Sequence, residues 1–288
     1  MQSTSPTPPA SAIPEYGLFG IDDRVLSKLL GEALGRGADY ADLYFEHGRS
    51  TSVALEDGII NRASSTADRG VGIRALVGDQ AGYAYSEDLD YASMHGAART
   101  AAAIASSSAT APPQGFSPGT RADLYKIAEP WDQVDVERKL RFLESVERTV
   151  RSLDPAIEKV SVAWADADAR ILIATSEGVV LTDSRPMARL ALAITAAKDG
   201  VVQSNHGSLA GRHGIEWFTE ERVEKLCRET VERTMILFEA KRPPAGEMPV
   251  VLAAGASGIL LHEAIGHGME ADFNRKGVSI YSTMIDQK

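Results

Sequence analysis

The apolar positions of this chain change period along its length, and each change marks an element. Val25, Leu26, Leu29, Leu30 and Ala33 recur at helical spacing behind Asp22 and Asp23, and Gly35 and Gly37 close the run, so a helix is predicted there. From Ala41 the period falls to two. Ala41, Leu43 and Phe45 alternate with polar residues, then Val53 and Leu55, then Ile59. Asp57-Gly58 lies between two such runs and predicts a hairpin, because its tight turn needs positive φ. Residues 70–77 and 81–85 read as two further strands joined at Gly78-Asp79, and an alanine-rich helix runs from about Asp88 to about Ala105.

The same order recurs further on. Val136, Leu140, Leu143, Val146, Val150 and Leu153 form an apolar helical stripe closed by Pro155, with Glu137–Arg141, Glu144–Arg148 and Glu147–Arg151 as i,i+4 pairs on the wet face. Strands are predicted at 159–164, 169–175, 179–183, 188–197 and 201–204, punctuated by Glu177-Gly178 and Asp199-Gly200. Thr219 caps another helix whose stripe is Val223, Leu226, Cys227, Thr230, Val231, Thr234 and Phe238, and Pro243-Pro244 ends it. A short strand at 248–253 leads to a last helix from about Ala256. The fold class is therefore α+β: antiparallel sheets flanked by helices, in two successive helix–strands–helix units that end in a metal-binding helix.

Composition sets the boundaries. Residues 1–20 hold four prolines and one charge, Glu15, and read as a flexible tail with Tyr16, Leu18 and Phe19 docking at its end. The first α+β unit spans 21–105. The uncharged Ser/Pro/Gly/Ala stretch that follows makes 106–120 a linker, and 121–288 forms the second unit. A net charge of −10 and 6% aromatic residues disfavour a grip on nucleic acid. No run is long and apolar enough for a membrane helix, so no membrane partner is expected. The single cysteine, Cys227, forbids an internal disulfide and fits a reducing, cytoplasmic location.

Chemistry concentrates in the last helix, at His262-Glu263-Ala-Ile-Gly-His267, an H-E-x-x-x-H pattern. Two neutral imidazoles bind Zn²⁺ through nitrogen, and a neighbouring carboxylate can take a proton from water on the metal. On a regular helix residues five apart lie about 140° apart around the axis, which keeps two ligands from converging. A π turn at Ile265–Gly266 brings them to one side, and Gly266 eases the distortion. Spacing alone leaves two readings open: a metal site, or two partly buried, hydrogen-bonded histidines.

The flanks resemble a known family. The segment from Pro249 to Gly277 (PVVLAAGASGILLHEAIGHGMEADFNRKG), the hairpin around Glu56-Asp57-Gly58, then Arg69-Gly-Val-Gly-Ile-Arg74 and Ala81-Gly-Tyr-Ala84 are similar to the TldD/PmbA (TldE) family of metalloproteases over residues 22–288. In that family TldD-like subunits carry H-E-x-x-x-H and TldE-like partners lack it, so this chain resembles the TldD side. The resemblance implies that His262 and His267 are zinc ligands, that Glu263 is the general base, that substrates are peptides or unfolded protein segments, and that a TldE/PmbA-like subunit is the partner. It also implies a third ligand, a cysteine in a C-terminal half. The chain stops at Lys288, so that domain is expected to be missing and the chain alone inactive. Cys227, on its own helix's apolar stripe, reads as a small buried hydrophobe, and Glu270 as a partner of the motif or a surface charge. His47, His95, His206 and His213 stand alone, and Asp272, Asn274 and Arg275 have no definite role. The alternative from another class is a non-catalytic binding or assembly subunit whose histidines are structural.

Overall fold

Alternation along the strands decides which face of the sheet meets the helices. The computed structural model describes residues 13–106, 112–119, 124–255, 257–284 and 286–287. Residues 1–12 of the expected tail, and 107–111 and 120 of the expected linker, lie outside the described residues. The chain divides into one unit spanning 1–240 and a second spanning 241–288.

The first unit opens with a short helix, α1 (Pro14–Phe19), at the end of the segment expected to be a flexible tail. Phe19 is buried there, and Glu15 reaches Arg170 at 2.9 Å. Helix α2 (Asp23–Leu34) is capped by Asp22, whose carboxylate accepts from the Val25 backbone N–H at 2.8 Å. Strands β1 (Tyr40–Glu56) and β2 (Ile59–Val77) turn at Asp57-Gly58, both in positive φ, and β3 (Gln80–Ser86) follows. Helix α3 (Tyr91–Ile104), capped by Asp90, completes the first helix–strands–helix set. A two-residue strand, β4 (Ser117–Pro118), precedes α4 (Val136–Leu153). Strands β5 (Ile157–Thr175), β6 (Val179–Lys198) and β7 (Val201–Gly211) come next, then α5 (Glu220–Glu239), capped by Thr219.

The strands of both sets form one seven-stranded sheet, ordered β3-β2-β1-β5-β6, with β4 and β7 both beside β6. The seam between the sets is the antiparallel β1–β5 pair, which runs from Asp42↔Thr175 to Glu56↔Ser161. Breaks expected at 165–168 and 184–187 are absent: β5 and β6 pair without interruption from Val160↔Ile194 to Ala174↔Val180. Polar side chains at those positions face across the ladder and not into it, as where Ser184 donates to Asp168 at 3.1 Å.

Helices cover one face of this sheet. Leu26, Leu29 and Leu30 of α2 and Met94 and Ala98 of α3 pack on Leu43, Phe45, Ile73 and Leu172 in a first core. Leu143, Val146 and Val150 of α4 and Leu226, Cys227 and Val231 of α5 pack on Val53, Val162, Trp164 and Leu190 in a second. Between the cores the same face turns polar. The register aligns His47, Arg49 and Thr51 with Arg170, Asp168 and Asp166, and these line a cleft of about 470 Å³. The opposite face carries small residues on its central strands, among them Ala163, Ala165, Ala167, Ala191 and Ala193, none of them buried.

The second unit holds α6 (Ser257–Leu261), a π turn over His262–Gly266, a 3-10 turn over His267–Met269 and α7 (Ala271–Arg275). The strand expected at 248–253 is absent. Val250, Val251 and Leu252 are exposed, and no strand pairs with them among the described residues. A strand needs a neighbour for its backbone groups, and an apolar run alone does not supply one.

Candidate metal centre

The H-E-x-x-x-H residues lie where α-helical winding gives way. Over His262–Gly266 the backbone takes π-type bonding, and the His267 N–H donates to the His262 carbonyl, five residues back. The wider turn brings His267 round beside His262, with ring centroids 4.5 Å apart and planes at 75°. Glu263 joins them: the ligand atoms of His262, Glu263 and His267 all lie within 4.8 Å of one another. The turn expected from the spacing is thus present. Gly266 meets nothing closer than 3.8 Å where a Cβ would stand, so its part is backbone adaptability and not close packing.

Electrostatics orders the second imidazole. His267 Nδ1 lies 2.5 Å from Glu270 Oε1, and its Nε2 lies 3.5 Å from Glu263 Oε2. The hydrogen bond to Glu270, more than the charge of Glu263, raises the His267 pKa above the ordinary histidine value. Engaging Nδ1 leaves Nε2 facing the cluster, the arrangement in which a carboxylate fixes the tautomer of a metal-binding histidine. Asn274 donates to the Gly268 carbonyl at 3.0 Å and to the Glu270 carbonyl at 2.9 Å, which ties the start of α7 to the turn that carries His267. Sequence reasoning gave Asn274 no role. Its signal, an amide seven residues past the second histidine, becomes readable only once the helix is known to break at Glu270.

Two nitrogen donors and one carboxylate suit a divalent ion of the zinc type. Among the described residues no fourth side chain joins the group. Cys227 is buried in the second core of the first unit, where burial pushes its thiol up to about 11. The remaining histidines are engaged or scattered: His95 pairs with Glu32 at 3.2 Å, His213 stacks on Trp217 at 4.3 Å, and His47 lines the polar cleft of the sheet. No helix among the described residues is long and apolar enough to cross a membrane.

Comparison with known proteins places the sheet and its helices in a family. Residues 41–105 match the family model described as PmbA/TldA metallopeptidase domain 1, and residues 129–238 match the PmbA/TldA metallopeptidase central domain. Together the two segments make up more than half of the chain, and the chain belongs to the PmbA/TldD family. A metalloprotease TldD homolog of Haemophilus influenzae is 36% identical over 88% of this chain and 54% of its own length. The chain spans about half the length of the curated relatives it matches. Among solved structures, a candidate modulator of DNA gyrase from Bacteroides thetaiotaomicron shares the fold, with a TM-score of 0.71 at 16% identity over 92% of this chain and 61% of that one. TldE from Thermococcus kodakarensis does so with a TM-score of 0.55 at 15% identity, over 73% of this chain and 47% of that one.

Proposed function

We propose that this chain is the metal-binding part of a TldD-like zinc metallopeptidase that cleaves peptides or unfolded protein segments. The observation that carries the reading is the π turn, which gathers two imidazoles and a carboxylate that a regular helix would splay apart. In this reading His262 and His267 hold the zinc, and Glu263 is the general base. When bound, the metal supplies Lewis acidity toward the scissile carbonyl and lowers the pKa of water. The chain's own residues do the rest. Glu263 accepts a proton through the carboxylate that lies beside His267, and Glu270 holds the His267 ring by its Nδ1. A catalytic zinc takes three protein ligands, and the family pattern supplies the third from a cysteine in a C-terminal half. The partner is a TldE-like subunit, the location is the cytoplasm, and the boundary between the two helix–strands–helix sets is 106–120, between the two matched segments.

Metal analysis tests the site without any turnover. The chain should retain zinc weakly, and His262→Ala or His267→Ala should abolish retention. Glu270→Ala should weaken it by about 10- to 100-fold, and Glu263→Gln should spare it. In a version extended through the relatives' remaining length and paired with a TldE-like subunit, Glu263→Gln should lower peptide hydrolysis by about 100- to 10,000-fold. Zinc retention that ignores both histidine substitutions would sink the proposal. Robust, chelator-sensitive hydrolysis by the 288-residue chain alone would place a third ligand within it.

A further inference from the structure

The hairpin of β1 and β2 projects beyond β3. Strand β3 accompanies β2 only from Val71, opposite Ser86, to Val77, opposite Gln80. From Arg62 to Gly70, β2 pairs with β1 on one side, and no strand lies on its other side among the described residues. All of 59–69 is exposed. Natural sheets blunt such edges with proline, charged side chains or bulges. Here the one irregularity lies next to the turn, where Ala54 pairs with Arg62 and Leu55 with Ile60, so Asn61 is the extra residue. The nine residues after it are a regular, open edge without proline, and its charges are Arg62, Asp68 and Arg69.

The side chains on this edge carry a pattern that β1 does not answer. Arg62 stands opposite Ala54, and Asp68 stands opposite Gly48, so neither charge meets a partner across the hairpin. Between them Ser64 and Thr66 share hydroxyl hydrogen bonds with Ser52 and Ser50, each at 2.7 Å. If a second β2 lies antiparallel alongside with Ser65 facing Ser65, Arg62 falls opposite Asp68 of the other copy, and the same pair repeats across the two-fold axis. Ser64 then meets Thr66 of the other copy, which continues the hydroxyl row from one hairpin to the next, and Ala63 meets Ala67 on the reverse face. Shifting by two residues places Arg62 opposite Thr66 or Gly70 and loses both charge pairs. Shifting by one turns the side chains to the wrong faces. In this register the paired stretch is 62–68, between the bulge at Asn61 and Val71, where pairing with β3 starts.

We propose that β2 is a homotypic docking edge: two copies of this chain join antiparallel through residues 62–68, in the register that sets Arg62 against Asp68. Nothing in this inference depends on the metal centre. The test is sedimentation of the 288-residue chain across a dilution series. Wild type should dimerise, with an association that weakens as salt rises. Arg62→Asp and Asp68→Arg each turn two attractions into two repulsions and should weaken association by about 10- to 30-fold. The double variant R62D/D68R restores complementarity and should dimerise like wild type. An equimolar mixture of the two single variants should form the heterodimer that neither forms alone, which also shows that both are folded. A monomeric wild type, single variants that associate as well as wild type, or a mixture that stays monomeric would each overturn the proposal.

Discussion

Lys139 and Asp166 lie 2.6 Å apart with side chains only 3% exposed, between the tryptophans of the second core. The Trp164 indole N–H also donates to Asp166 at 2.7 Å, and the Lys139 ammonium lies 5.8 Å from the centroid of the Trp131 ring. Removing one member strands the other charge out of water, which costs more than the pair contributes. Lys139→Met should therefore destabilise the fold by about 3–5 kcal/mol in urea titration, while the double change Lys139→Met, Asp166→Leu should recover much of the loss. Cys227 makes the opposite case, a titratable group buried without a charge partner. Its thiol, pushed up to about 11, stays protonated at pH 8, so Ellman's reagent should not label it until the protein unfolds. The sign for stability follows. Between the ordinary thiol pKa and about 11 the unfolded chain gives up a proton that the folded chain keeps, so this group should lower stability as pH rises through that window.

Elements were legible to different degrees, and the reasons are physical. Helices announced themselves through period, and two of them through Asp22 and Thr219 at their starts; Asp90 and Asp135, which the sequence pattern did not single out, also accept a first-turn N–H. The π turn was legible because its ligand spacing is incompatible with regular winding. Strand length was not. Asp166 and Asp168 interrupt the apolar alternation of β5, yet they continue its side-chain face and line the polar cleft between the cores, so the backbone never breaks. Nor did the sequence disclose that β1 would pair with β5, since nothing local encodes a partner so distant. Close approach of helix to sheet was equally hidden. At Gly82 of β3 an added Cβ would collide with the Ala101 carbonyl and lie 2.8 Å from the Ala105 nitrogen, so α3 packs here against bare backbone. Gly82→Ala should force α3 outward and cost about 1–3 kcal/mol, measured as a lower urea midpoint. The same change at Gly58, with nothing within 4 Å of its Cβ position, acts through its positive φ and leaves α3 in place.

At the scale of the molecule, the β1–β5 seam makes one sheet out of two similar sets and couples their cores. All three tryptophans, Trp131, Trp164 and Trp217, belong to the second core or pack against it. Leu30 is fully buried in the first. Leu30→Ala should cost about 2–5 kcal/mol. If the sheet unfolds as one body, the tryptophan fluorescence midpoint should fall with it, although no tryptophan lies near the substitution. An unchanged tryptophan transition beside a lowered circular-dichroism midpoint would mean that the sets melt separately. The seam also has a consequence for synthesis on the ribosome. Asp42 finds its neighbour Thr175 only after roughly 130 further residues are made, which at about 5–20 residues per second is on the order of ten seconds. Throughout that interval β1 is a finished strand with its inner side open, so the nascent first set has to stay soluble without the half of the sheet that will close it.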